Sequence, residues 1–147
     1  MSVRVIEETI HLMGLEIATC TWECSIPPIA RAILYPGWLD NAGSFYTLAP
    51  LLTAAGVKCI AIDPPGCGKS SHLPLSAAYC DYAEVGMLGR LLELLCPVQD
   101  PAVPCLLIGH SRGAGVTLAA AGAFKVDGTV LLENENWGDC VASASGC

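Results

Sequence analysis

Positive charge is scarce in this sequence. Seven Lys and Arg stand against 14 Asp and Glu, a net charge of −7. Binding to nucleic acid needs a positive face, so a nucleic-acid partner is not expected. Charge of either sign is thin, at 14% of residues; an average domain carries roughly 25%. Long apolar runs are lacking too. The most hydrophobic region, residues 103–124, is interrupted by His110 and Arg112. Both are costly in lipid, so no membrane span is expected. A secretory leader is also missing from the pattern, because Met1-Ser2-Val3-Arg4 runs straight into Val5-Ile6-Glu7-Glu8. A cytoplasmic location is the expectation.

Cysteine, by contrast, is abundant. Nine fall at positions 20, 24, 59, 67, 80, 96, 105, 140 and 147. The count is odd and no C-x-x-C pair occurs. Several, such as Cys59 and Cys105, sit inside apolar runs. Reduced cysteines acting as small hydrophobes are therefore preferred to disulfides or a zinc site. No metal and no cofactor are expected.

At 147 residues and 53% hydrophobic, the chain has the length and composition of one domain with a sizeable core. Residues 3–11 and 15–22 are rich in β-formers around Met13-Gly14, which reads as a hairpin. Ala30–Tyr35, Val57–Ile62, Cys105–Ile108 and Val126–Leu132 read as buried strands. Between them lie three helical patterns. The first is capped by Asn41 or Ser44, with Phe45, Leu48, Leu51 and Leu52 on one face. The second spans Tyr79–Cys96, with Tyr82, Val85, Leu88, Leu92 and Leu95 on one face. The third is a small-residue helix over Gly115–Phe124. Alternating strands and helices predict βαβ units, a parallel sheet and the α/β class. Residues 135–147 are low in complexity and read as an irregular tail.

Two glycine-rich stretches carry the functional signal. Asp63–Ser70, "DPPGCGKS", fits the phosphate-gripping pattern G-x-x-x-x-G-K-[ST] everywhere except its first glycine. The second is Gly109-His110-Ser111-Arg112-Gly113, a G-x-S-x-G directly after one strand and directly before a helix. That setting predicts a nucleophile elbow. A serine on so tight a turn needs Gly109 and Gly113, because side chains there would collide. The turn lifts the Ser111 hydroxyl off the sheet. His110 is not a suitable base, since neighbouring side chains on the turn point apart, and it reads as a packed histidine. The Arg112 N–H would donate to an oxyanion. The Arg112 side chain has two readings, an anchor for an acidic substrate or an exposed cation, and the second is preferred.

These stretches resemble the α/β-hydrolase superfamily, and within it the serine hydrolase-like branch. "PGWLDNAGSFYTLAPLL" is similar to the family's segment after strand three, "IDPPGCGKSSH" to its D-x-x-G-x-G-x-S turn after strand four, and "LIGHSRGAGVTLA" to its elbow. "VDGTVLLEN" looks like strand six. The resemblance covers residues 1–134, little more than half of a typical member. It implies a mostly parallel sheet with helices on both faces, ending after about strand six. Asp63, Gly66, Gly68 and Ser70 fit the hydrolase turn fully, which favours it over the phosphate loop. The resemblance also implies Ser111 as nucleophile, with the Arg112 and Trp38 N–H groups as the oxyanion hole. Where members usually read His-Gly, this chain has Pro36-Gly37.

The same resemblance shows what is missing. Serine needs a base to take its proton, and the family's order is Ser, then Asp or Glu, then His. All three histidines, His11, His72 and His110, precede Ser111. Glu133, at a strand end, is the candidate acid that the resemblance offers. The expectation is a serine hydrolase of a small carboxylic ester or related acyl compound, with this chain by itself incomplete and inactive. A non-catalytic binding protein is the alternative. A nucleotide binder using Lys69 is the minor one. Oligomeric state is left open.

Overall fold

A computed structural model describes residues 3–97 and 103–132. Glu133 and the tail at 135–147 lie outside the described residues. The elements run β1 (Arg4–Leu12), β2 (Leu15–Glu23), β3 (Ala30–Tyr35), a short 3₁₀ turn (Ala42–Phe45), α1 (Leu48–Ala54), β4 (Val57–Ile62), α2 (Asp81–Leu95), β5 (Cys105–His110), α3 (Arg112–Ala123) and β6 (Gly128–Leu132). The strands form one sheet in the order β1-β2-β4-β3-β5-β6. β4, β3, β5 and β6 are mutually parallel, and β1 and β2 add an antiparallel edge. The expected mostly parallel sheet is therefore present.

The hairpin forms where expected. Met13 and Gly14 both take positive φ, 53° and 78°. That is the signature of the tight turn whose twist matches two antiparallel strands.

Alternation along the strands supplies the two faces. Ile33, Tyr35, Ile60, Ile62 and Leu107 point to the side covered by α2 and α3, where they pack with Leu88, Leu91 and Val116. Ala32, Leu34, Cys59, Ala61 and Ile108 point to the other side, with Phe45 and Ala49. Successive residues of a strand face opposite ways, so apolar runs such as Ala32–Tyr35 feed both cores at once.

Two helix faces differ from the sequence expectation. In α1, Leu51 is 66% exposed, while Leu48 and Leu52 pack against the core with Phe45 as expected, and the buried positions of the helix are the small residues Ala49 and Thr53. In α2, Tyr82 is 91% exposed, and the buried positions are Glu84, Met87, Leu88, Leu91 and Leu92. A carboxylate therefore occupies the inner stripe. The third helix starts three residues earlier than expected, at Arg112, immediately after Ser111.

Cysteines 20, 24, 59, 67, 80, 96 and 105 are all unbridged. Among the described residues no helix is long and apolar enough to cross a membrane. Burial pushes the Cys59 thiol up to about 11, and the residue is fully buried. The thiolate is the reactive form. Maleimide at neutral pH should therefore modify exposed Cys80 readily, and Cys59 only after denaturation, as read by peptide mass mapping.

Candidate active site

The junction of β5 and α3 holds the residues of the G-x-S-x-G motif. Ser111 sits between His110, the last residue of β5, and Arg112, the first of α3. Its φ is 53° and ψ −123°, an uncommon region for a side-chain-bearing residue. Holding it there costs about 1–3 kcal/mol. The turn is fixed at both ends: the Ser111 N–H donates to Leu132 O at 2.9 Å, and Ser111 O accepts from the Ala114 N–H at 2.9 Å. Among the described residues the Ser111 hydroxyl has no hydrogen-bond partner.

The flanking glycines are required by contact. A Cβ on Gly113 would fall inside the carbonyl oxygens of Tyr35 and Pro36. One on Gly109 would strike Thr117 Oγ1 and the backbone of Gly113 and Ala114. The turn thus rests directly on the end of β3.

The loop leaving β3 passes beside the serine. A Cβ on Gly37 would lie 3.3 Å from Ser111 Cβ. Leu39 in this loop also takes a positive φ of 53°. Beyond it, Asn41 caps the 3₁₀ turn by accepting from the Gly43 N–H at 2.8 Å, and Asp40 accepts from the Asn41 N–H at 2.9 Å.

Asp63 ties this loop to the turn after β4. Its carboxylate accepts the Ala42 N–H at 2.8 Å and the Lys69 N–H at 2.7 Å. Gly68, at φ 53°, leaves room for that carboxylate. Gly66, at φ 79°, lies under the Tyr79 ring, whose hydroxyl would be 2.7 Å from any Cβ. Ser70 Oγ donates to Asp63 O at 2.6 Å and accepts from the Ala18 N–H at 2.8 Å. The D-x-x-G-x-G-x-S residues therefore form one stapled turn. No helix opens at Lys69 and Ser70, and none follows before Asp81. The Lys69 ammonium pairs with Glu7. The phosphate-loop geometry is not formed.

The Arg112 side chain corrects the expectation of an exposed cation. It is 18% exposed and lies in a charged cluster. Its guanidinium donates to both Glu84 oxygens, at 2.7 and 3.1 Å, and to Asp81 at 2.5 Å. Glu84, on α2, is buried and also accepts the Tyr35 hydroxyl at 2.6 Å. Burial, then the adjoining carboxylate, hold the Tyr35 phenol well above its ordinary range. Burial alone would lower the Arg112 pKa, but its hydrogen bonds to the Glu84 and Asp81 carboxylates, with their negative charge, outweigh it and raise it. The Arg112 Cζ also lies 5.0 Å from the centre of the Trp38 ring, a contact worth about 0.5–1 kcal/mol. Glu84 was not anticipated as a site residue. The signal was the Asp81/Glu84 pair at i, i+3, which puts two carboxylates on neighbouring positions at the start of a helix.

The histidines are dispersed. His11 is on β1, at the far edge of the sheet from β5. His72 lies with its Nδ1 3.4 Å from the Tyr79 hydroxyl. His110 Nδ1 is buried without a partner among the described residues, beside Gly37. A cleft of about 280 Å³ is lined by Trp38, Leu39, Pro65, His72, Tyr79 and Arg112. A larger one, about 420 Å³, lies at Glu7, Thr19, Tyr46 and Lys69. It includes no residue of the β5–α3 turn, whereas the smaller cleft includes Arg112, the residue after Ser111.

A profile of the alpha/beta hydrolase family matches residues 33–141. The chain belongs to that family. A serine hydrolase-like protein of Dictyostelium discoideum is 32% identical over 130 residues, 86% of this chain and 34% of its own. A monoacylglycerol lipase of Mycolicibacterium smegmatis is 27% identical, over 81% of this chain and 42% of its own. Among solved structures, a thioesterase domain from the curacin biosynthetic pathway is similar at a TM-score of 0.71 and 29% identity. It is covered over 40% of its length by 82% of this chain. The chain thus spans about a third of the first of these relatives. The family assignment agrees with the mostly parallel sheet.

Overpacking against backbone has no flexible side chain to yield. Gly113→Ala should therefore destabilise by about 1–3 kcal/mol or more, measured by urea denaturation. Asp63→Ala should cost about 1–3 kcal/mol through its two orphaned N–H donors, with the loss read in the same way.

Proposed function

We propose that these residues carry the nucleophile and oxyanion-binding half of a serine hydrolase acting on a small carboxylic ester or related acyl compound. The observation that carries this reading is Ser111 itself. It has positive φ, Gly113 wedged against the end of β3, Gly109 against α3, and a hydroxyl without a partner among the described residues. A serine held in strain with its hydroxyl free is arranged for attack rather than for packing.

In this reading Ser111 Oγ attacks the acyl carbon. The developing oxyanion takes the N–H groups of Arg112 and Trp38. The N-terminus of α3 lies at Ser111 and favours the same negative charge. Gly109 and Gly113 make the turn, while Gly37, Asp63, Gly66 and Gly68 shape the loops around it. Similarity to a serine hydrolase-like protein, a monoacylglycerol lipase and a thioesterase domain supports acyl chemistry.

No histidine follows Ser111 within the 147 residues. Of the three that precede it, His72 lines the cleft beside Arg112 with its Nδ1 3.4 Å from the Tyr79 hydroxyl, and none has a hydrogen bond to Ser111 among the described residues. We infer that these residues by themselves acylate slowly and do not turn over. Glu133 stays a proposed acid.

A fluorophosphonate probe tests the nucleophile directly. Ser111 Oγ forms the P–O bond as the P–F bond breaks, fluoride leaves, and the hydroxyl proton passes to water. The expected result is one adduct, mapped to the Ser111 peptide, formed slowly and abolished in Ser111→Ala. Failure to label, or equal labelling of Ser111→Ala, rejects the reading and leaves the non-catalytic binding protein in its place.

A further inference from the structure

We propose that the Arg112 side chain is a positioning residue, bracing the loop after β3 through the Trp38 ring, and that it is not an anchor for an anionic substrate. This rests on the reading of Ser111 as nucleophile and of the Arg112 and Trp38 N–H groups as oxyanion donors.

The two residues whose backbones would hold the oxyanion are joined by their side chains. Arg112 Cζ stands 5.0 Å from the Trp38 ring centre. The cation is pinned before the ring meets it. Glu84 takes two hydrogen bonds from the guanidinium, at 2.7 and 3.1 Å, and Asp81 takes a third at 2.5 Å. Glu84 is itself fixed by Tyr35, the last residue of β3. A planar fork held by a buried carboxylate has a set orientation, and a ring stacked on it inherits that orientation.

The loop has need of such a hold. Trp38 is 65% exposed and Leu39 is 78% exposed, so packing against the core does little to fix either. Leu39 is also held at φ 53°, a conformation that a leucine does not keep unaided. The stack on Arg112 gives this exposed stretch a fixed point one residue before the strained one. An oxyanion donor contributes only if its N–H is already aimed, so a loose loop would lose the Trp38 N–H while leaving the fold intact.

The charge count argues against an anion anchor. Two carboxylates, Glu84 and Asp81, already occupy the one guanidinium. An acidic group approaching Arg112 meets one more negative charge than positive. The cleft beside it is lined by Trp38, Leu39, Pro65 and Tyr79, which suits an uncharged acyl group.

The test compares rates of fluorophosphonate labelling at Ser111. Trp38→Leu keeps the backbone N–H and removes only the ring. It should slow labelling by about tenfold, with the melting temperature within about 4 °C of wild type. Trp38→Phe keeps a π face and should restore most of the rate. The paired change Arg112→Met with Glu84→Gln removes the cation without stranding the buried carboxylate, and should slow labelling to a similar extent. Combined with Trp38→Leu it should add nothing further, as expected when both act through one contact. Wild-type labelling in Trp38→Leu, or effects that multiply, overturns the proposal while the nucleophile reading stands. If wild type itself does not label, that reading has failed, and backbone NMR decides the brace separately. The ¹⁵N heteronuclear NOE of the Trp38 and Leu39 amides should fall in Trp38→Leu. An unchanged value overturns it.

Discussion

The arrangement around Ser111 depends on one close approach, that of the first turn of α3 to the last residues of β3. Gly113 lies against the carbonyls of Tyr35 and Pro36 with no room for a single carbon between them. Contact between two backbones cannot be relieved by a rotamer change. It therefore fixes the height of α3 over the sheet, and with it the position of Ser111 at the end of β5. The parallel register of β3 and β5, with Tyr35 opposite Gly109, brings the two chain ends level so that this approach is made. The positive φ of Ser111 follows from closing a strand onto a helix in so little space.

A second layer of order is electrostatic, and it is economical. The chain carries few charges, yet it commits a buried glutamate and a largely buried arginine to one cluster under the turn. A buried ion pair is weak evidence of stability, because desolvation offsets most of the attraction. Its value here is directional. Glu84 reaches β3 through Tyr35, and α3 through Arg112. The carboxylate thus joins three elements whose relative positions define the turn. Asp63 does comparable work on the other side, joining the 3₁₀ turn to the loop after β4 by accepting two backbone N–H groups. Asp63 lies where β4 ends and the backbone would otherwise leave donors unpaired.

Much of this was legible in the sequence because it is local. The strands showed as short apolar runs, and the turn at Ser111 showed as glycines at fixed offsets between a strand and a helix. Such signals need only a few adjacent residues. The helix faces were less legible. Leu51 and Tyr82 were assigned inward by size and spacing, but the buried positions of α1 are small residues, and the inner stripe of α2 includes Glu84. Hydrophobic periodicity cannot see a buried carboxylate, since it scores every charge as outward. The Arg112 side chain was misjudged for the same reason. Its partners lie about thirty residues away, on a different helix, and only tertiary packing brings them together.

The same distinction bears on the proposal that these residues carry the nucleophile without its base. Among the described residues, the serine turn, its proposed oxyanion donors and the braces behind them are built from β3, β4, β5, α2 and α3. A general base enters none of those contacts. Its presence would change the proton affinity felt by Ser111 without altering the turn that presents it. The strain at Ser111 is supported by glycine packing and by hydrogen bonds to Leu132 and Ala114, not by a histidine. Geometry and proton transfer are thus separable in this family member. The first is a property of the sheet and its turns, and it persists whether or not the second is supplied.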